Sequence, residues 1–340
     1  MIKYSVIIPV YNSKEPLGIC LDAIKKQVNK QTEIIVVDDC STQKGIKEIV
    51  KNFTLRFFQL KKNCGAGRVR NFGAKRAKGE WLIFIDSDVV VSDNFFKGLF
   101  KKLKHLPHNV CLQGVYGWQT PIDNIYSQYK NLYYFYNFFY RIKKERYSYL
   151  SSHCFIIRRD VFKAVEGFNR QIKTVIEDAD FGFRLFQKGY RVLLDKKLIV
   201  THLKRFSLLG LLKNDAKLSF AKVKHISRNF FRNDREKLIV ISGGRVSEMY
   251  LILLNVFLAP VFLLVMLVAI LYRNTFTLYL LVLLLLFLLI SNFNFFKFIV
   301  LKKRTVFLLK VIPVYYLDML SAFWGSVTGV IDYFLLGRKY

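Results

Sequence analysis

Along the first two hundred residues the hydrophobic pattern switches between two periods. Unbroken apolar runs, "YSVIIPV" from residue 4, "EIIVV" from 33 and "WLIFI" from 81, lack polar alternation, as strands do when a largely parallel sheet is covered on both faces. "LRFFQL" from 55 reads as a further strand. Between the strands, apolar positions recur three and four apart. This holds in "PLGICLDAIKKQ" from 16, whose early proline a helix tolerates, and in "KGIKEIVKNF" from 44. "GAGRVRNFGAKRAKG" from 65 reads as a glycine-rich entry into a basic helix. Strands and helices alternating across short connections predict an α/β domain with a doubly wound, mostly parallel sheet over residues 1–205.

The pattern then changes. Residues 250–272 and 274–296 are each 23 positions without a charge, more than the roughly 20 an α-helix needs to cross a bilayer. An α-helical membrane domain is expected over 246–340, with spans at about 250–272 and 276–296. Residues 305–336 are apolar but interrupted by Lys310, Pro313, Asp318 and Asp332. They are expected as a third membrane segment, with an interfacial or re-entrant course left open. Residues 206–245 should form basic amphipathic helices on the membrane surface. The stretch 203–237 carries ten Lys or Arg against three acids, interleaved with Leu, Phe and Ile. A solvated linker helix would carry the same composition. Residues 126–149 hold eleven aromatic and five basic side chains, which suits an aromatic core helix, an interfacial helix or the wall of an acceptor channel.

Charge narrows the partners. The chain has 54 Lys and Arg against 24 Asp and Glu, a net +30, which could face nucleic acid or anionic lipid. Beside membrane spans the anionic membrane surface is the expected partner and nucleic acid is not. Residues 1–10 read as a strand and not as a signal peptide. Arg273 is the one basic residue in the turn at 273–275, whereas Lys297, Lys302, Lys303 and Arg304 follow the second apolar run. The excess of positive charge therefore places the α/β domain on the cytoplasmic face of an integral membrane protein, in a bacterial-type plasma membrane. The five cysteines make no C-x-x-C pair, which fits a reduced compartment and argues against a zinc site.

Two of the strand runs end in acid: Asp38 and Asp39 after one, Asp86 and Asp88 after another. In doubly wound sheets ligands bind beyond the carboxyl ends of the strands. A helix-capping role would account for Asp38 but poorly for Asp86 and Asp88, whose charges repel unless a cation lies between them.

The ordered segments "SVIIPVYN", "EIIVVDDCS", "GAGRVRNFGAKRAKGEWLIFIDSDV", "CFIIRRDVFKAVEGFN" and "IEDADFGFRLFQKGYRV" resemble the family 2 glycosyltransferases with the GT-A fold, over about residues 2–205. The resemblance implies inverting, metal-dependent transfer from a nucleotide-diphosphate sugar, with UDP the habitual nucleotide. It implies Mg2+ or Mn2+ at Asp88, with Asp86 on the ribose or on the metal through water. It implies Asp39 on the base, Pro9 and Tyr11 packed against the base, Arg70 near the diphosphate, and Asp178 of the pair Glu177-Asp178 as catalytic base. His202 stands where members often carry a metal-ligating histidine, although a lone histidine is as readily structural. Processive members carry Gln-x-x-Arg-Trp after the base motif, and this chain has no Trp between Asp178 and the first apolar run. Transfer of one sugar is therefore expected. The alternatives are a processive polysaccharide synthase or a non-catalytic membrane scaffold with a degenerate transferase domain. The apolar and aromatic-basic segments suit a membrane-embedded acceptor: polyprenyl phosphate, a lipid-linked glycan or a glycolipid.

Overall fold

A computed structural model describes residues 1–53, 55–142, 150–172, 175–230 and 246–337. The ends of two sequence features, 143–149 and 231–245, lie outside these residues. The described chain divides into two compact units.

The first unit comprises Met1–Ile122 and Phe138–Lys204. Its strands are β1 (Tyr4–Val10), β2 (Thr32–Asp38), β3 (Arg56–Gln59), β4 (Trp81–Ile85), β5 (Val89–Val91), β6 (Val110–Tyr116), β7 (Cys154–Arg158) and β8 (Arg191–His202). They form one sheet in the order β3-β2-β1-β4-β7-β6-β8-β5. Pairing is parallel through β3, β2, β1 and β4 and again between β6 and β8. β7 is antiparallel to both neighbours, and β5 is antiparallel to β8, so the sheet is mixed. The uninterrupted apolar runs are the buried central strands β1 and β4, covered on both faces. Helices α1 (Lys14–Lys25), α2 (Ile46–Asn52), α3 (Ala66–Arg76) and α4 (Phe95–Leu103) alternate with these strands. The chain winds from β1 to β3 at one edge, then returns to place β4 on the other side of β1. The carboxyl ends of β1 and β4 are therefore the switch point where such sheets bind ligands.

Residues Asp123–Asn137, which contain α5 (Ile125–Tyr136), group with the second unit, so the division does not fall in one cut at residue 205. The reason lies in the aromatic face of α5. Tyr129, Leu132, Phe135 and Tyr136 are buried, which is the core-helix alternative for the first half of the aromatic-basic stretch. The first unit continues with α6 (Arg159–Ala164) and α7 (Glu177–Gln187).

The second unit also holds α8 (Leu208–Phe230), α9 (Val246–Tyr272), α10 (Thr275–Ser291), α11 (Phe293–Lys303) and α12 (Thr305–Phe334). Leu251–Tyr272 and Thr305–Phe334 are each long and apolar enough to cross a bilayer. The uncharged run at 274–296 is not one continuous helix: it bends by 67° between α10 and α11. Asn292 makes the break. Its side-chain amide donates to the Leu288 carbonyl at 2.9 Å, and its Oδ1 accepts from the Tyr315 hydroxyl at 2.6 Å. A side chain that bonds backbone in this way competes with the helix ladder. α10 alone is 17 residues, about 25 Å long at 1.5 Å per residue, short of a hydrocarbon core of about 30 Å.

α8 and α12 run parallel in matched steps. Ser321 Oγ donates to the Leu212 carbonyl at 2.5 Å, Gly325 lies on the backbone of Ala216, Gly329 lies on that of Phe220, and Lys224 pairs with Asp332 at 2.5 Å. Small residues four apart let the two backbones touch. Behind this seam Lys130 forms a buried ion pair with Asp215 and lies 3.9 Å from Asp318, while the Tyr129 hydroxyl donates to Asp318 at 2.7 Å.

Candidate active site at the switch point

β2 ends at Asp38, whose buried carboxylate is spent on local structure. It accepts from the Ser41 amide at 3.1 Å, the Ser41 hydroxyl at 2.5 Å and the Gln59 amide at 2.9 Å. Asp39, one residue on, takes the backbone N–H groups of Cys64 at 2.7 Å and Gly65 at 2.8 Å. It thereby fixes the loop that enters α3. Gly65 opens that helix at φ 86°, a left-handed conformation that glycine adopts without strain. Each Asp39 oxygen keeps a lone pair for a ligand. Burial pushes its carboxyl up, against the two N–H donors. Pro9 is buried in β1, whereas Tyr11 just beyond the strand end is half exposed.

β4 delivers Asp86, Ser87 and Asp88. Asp86 Oδ1 accepts from Arg70 Nη2 at 2.6 Å, and Arg70 Nη1 reaches Glu177 Oε1 at 3.3 Å. Arg70 is thus a buried bridge from the strand acid to the first turn of α7, with Phe168 under its guanidinium at 5.6 Å. Burial works against its charge, but Asp86 and Glu177 more than offset this and hold the guanidinium pKa above its ordinary value. Asp88 is held by other elements. β5 pairs with β8 so that Val89 opposes His202, and Leu203 N donates to the Asp88 carbonyl at 2.8 Å. That register puts His202 Nε2 3.6 Å from Asp88 Oδ2. Burial alone would raise the Asp88 carboxyl; His202 and, further off, Lys204 hold it below the usual carboxylate range.

Glu177 and Asp178 open α7, where free N–H groups favour anions. Asp178 Oδ1 accepts from the Ala179 amide at 2.8 Å, and Oδ2 accepts from the Ser152 amide at 3.3 Å. Burial and then the neighbouring Glu177 push the Asp178 carboxyl up to about 7, against Arg70. Glu177 is also raised by burial, with Arg70 opposing.

Two contributors escaped the sequence reading. Ser152 acts through its backbone, which has no side-chain signature. His153 immediately precedes β7, and its carbonyl accepts from the Asp86 amide at 3.1 Å. Its ring stacks on Tyr116 at 3.9 Å, and the Tyr116 ring also lies 4.7 Å from that of His202. Burial, then the field of His202, pushes the His153 imidazole down to about 3.

These residues gather Asp39, Asp86, Asp88, Glu177 and Asp178 at one rim with Arg70 bonded to two of them, so an anionic ligand fits there only together with a cation. Among the described residues no three His, Cys, Asp or Glu side chains are poised to cage a metal by themselves. Asp88 with His202 fits a cation that takes its remaining ligands from a phosphate substrate and water, as hard divalent ions do. The imidazole in that pair suits Mn2+ better than Mg2+.

Residues 5–166 match the family model described as "Glycosyl transferase family 2". The glycosyltransferase GlyG of Streptococcus pneumoniae is 32% identical over 127 residues, 36% of this chain and 42% of that protein. The poly(ribitol-phosphate) beta-N-acetylglucosaminyltransferase TarS of Staphylococcus aureus is 38% identical over 103 residues, 28% of this chain and 18% of that protein. The match thus spans less than half of each relative's length. In fold, the chain is similar to the mannosyltransferase PcManGT of Pyrobaculum calidifontis, solved with GDP-Man and Mn2+. The TM-score is 0.60 at 15% identity, over 97% of this chain and 87% of that one. Residues 5–166 belong to glycosyl transferase family 2, and the chain pairs a GT-A catalytic domain with a C-terminal helical region.

Proposed function

We propose that the protein transfers one sugar, with inversion, from a nucleotide-diphosphate sugar, UDP-linked by family habit, to an acceptor held in the membrane. Polyprenyl phosphate, a lipid-linked glycan and a glycolipid are the acceptor classes that suit two long apolar helices on the same chain. The observation that carries the reading is the Arg70 bridge. It ties Asp86, at the end of β4, to Glu177, next to Asp178, so that donor motif and base stand at one rim. In this reading Tyr11 and Asp39 take the nucleoside, and Asp88 with His202 would hold Mg2+ or Mn2+. When bound, the cation offsets charge on the departing nucleotide. Arg70 supports Asp86 and Glu177 from behind. Asp178 accepts the proton of the acceptor hydroxyl as its oxygen bonds to the anomeric carbon; the bond to the diphosphate breaks, and the nucleotide leaves with the electron pair. A polyprenyl phosphate oxygen is already ionised, and for that acceptor Asp178 orients more than it deprotonates.

The test uses the full chain in detergent with Mn2+ and a panel of nucleotide sugars, reading release of the nucleoside diphosphate. Turnover is expected for the wild type. Asp178→Asn should bind the same donor within about twofold while losing on the order of a hundredfold or more in transfer to a hydroxyl acceptor. Undiminished transfer by Asp178→Asn would remove Asp178 from the mechanism.

A further inference from the structure

The sheet lays out the substrate strand by strand. Asp39 stands at the end of β2 and Tyr11 beyond β1, Asp86 and Asp88 follow β4, and His153 precedes β7, the next strand across. The register continues past the strand ends: Ile85 opposes Cys154, and the next step brings the Asp86 amide to the His153 carbonyl at 3.1 Å. Ser152, the residue before His153, donates its amide to Asp178. His153 therefore stands between the donor motif and the base, where the sugar of a nucleotide sugar must lie if the nucleoside occupies the β1–β2 end.

Its side chain is unfinished. The ring is 2% exposed, and Nδ1 is engaged by the Ser151 hydroxyl at 2.9 Å. Tyr116 lies stacked against the ring at 3.9 Å and 16°, and Phe138 packs on it at 5.6 Å. Nε2 is buried and has no hydrogen-bond partner among the described residues. The charged and titratable groups facing the ring are Arg70, Asp88 and His202, all members of the site. A buried ring nitrogen is costly to leave unmet, and native proteins satisfy such atoms with water or ligand. The aromatic packing fixes the ring, so the unmet nitrogen has a set direction.

We propose that His153 is a specificity residue: its Nε2 hydrogen-bonds a hydroxyl or amide of the sugar being transferred. The inference rests on the glycosyltransferase reading and deepens it. Nε2 donates when Ser151 donates to Nδ1, and accepts when Nδ1–H donates to Ser151, so the Ser151 hydroxyl sets which sugar groups are read. A site built to bond one sugar substituent discriminates against sugars that lack it, because the nitrogen is then left buried and bare.

The experiment measures, by calorimetry on the full chain in detergent with Mn2+, the affinities of UDP, UDP-glucose, UDP-galactose, UDP-GlcNAc and GDP-mannose. His153→Phe keeps the aromatic stack and removes the nitrogen; His153→Leu serves as a second apolar variant should the first fail to fold. The expected result is an affinity for UDP within twofold of wild type, and about tenfold weaker binding of the preferred nucleotide sugar. His153→Gln, which restores a polar atom, should recover part of that loss. Unchanged nucleotide-sugar affinity would overturn the proposal, and so would an equal loss for UDP and for the nucleotide sugar, since that is what a merely structural role predicts. A wild type that binds none of these ligands overturns the glycosyltransferase reading itself.

Discussion

Asp178 is a carboxylate kept where it prefers its proton. Its pKa, raised to about 7 by burial and by Glu177 with Arg70 opposing, lies above the value near 4 of an unfolded chain. The neutral form is thus the one the fold favours. Stability from this group is fully present below about pH 4 and is lost as pH rises through about 7. Asparagine imitates the neutral acid, so Asp178→Asn should unfold at higher temperature than wild type at pH 8, by about 1–3 kcal/mol in stability, and show little difference near pH 4. Equal melting temperatures at pH 8 would mean that the carboxylate is not strained. Under the proposed mechanism the same shift governs activity: with a hydroxyl acceptor, kcat/KM should rise between about pH 6 and 8 as Asp178 ionises. The acids themselves were legible in the sequence, because each follows a strand or opens a helix in a recognisable context. Their partners were not. Arg70 meets Glu177 and Asp88 meets His202 across more than a hundred residues, a proximity that only strand order and the β5–β8 register create. Arg70, expected near the diphosphate, has both terminal nitrogens on carboxylates.

Among the elements, the first four strands were read from their apolar runs, whereas β5, β6, β7 and β8, which complete the sheet, were not. Helix ends in the apolar region were the hardest. Asn292 breaks the run at 274–296 through bonds to Leu288 and Tyr315, and although Ser291, Asn292 and Asn294 make a polar cluster there, the absence of charge over the whole run still reads as one span. The parallel seam of α8 and α12 likewise depends on small residues whose meaning appears only with a partner. Ser321, Gly325 and Gly329, four apart, let α12 touch the α8 backbone at Leu212, Ala216 and Phe220. A side chain at Gly325 has no room, because its Cβ falls on backbone and not on a flexible tip. Gly325→Leu should therefore force the two helices apart, at a cost of roughly 1–3 kcal/mol or more. Gly98→Leu is the control, since a Cβ there meets nothing within 4 Å and the backbone needs no left-handed conformation. Thermal unfolding of both variants in detergent decides the point. A Gly325→Leu variant as stable as wild type would mean that the seam is not tight.

At the scale of the whole chain, the sequence already divides charge from apolar length. The net charge is +30, yet Leu251–Tyr272 carries no charged residue, and the turn after it offers only Arg273 before α10 begins. Lys297, Lys302, Lys303 and Arg304 follow on the far side of α10. We propose from this asymmetry, by the positive-inside rule, that the 273–274 turn lies outside and the Lys302–Arg304 cluster inside, the bent pair of α10 and α11 crossing the bilayer together. The five cysteines all lie at or before residue 154, so a thiol introduced in the helical region can be told from them by position. In intact cells a membrane-impermeant maleimide should label Arg273→Cys strongly. Lys302→Cys and the native, partly exposed Cys40 and Cys64 should be labelled only after permeabilisation. Labelling of Lys302→Cys from outside while Arg273→Cys stays protected would invert the orientation. It would also put the catalytic domain away from the cytosolic pool of nucleotide sugars, and a transferase fed from that pool could not then work as proposed.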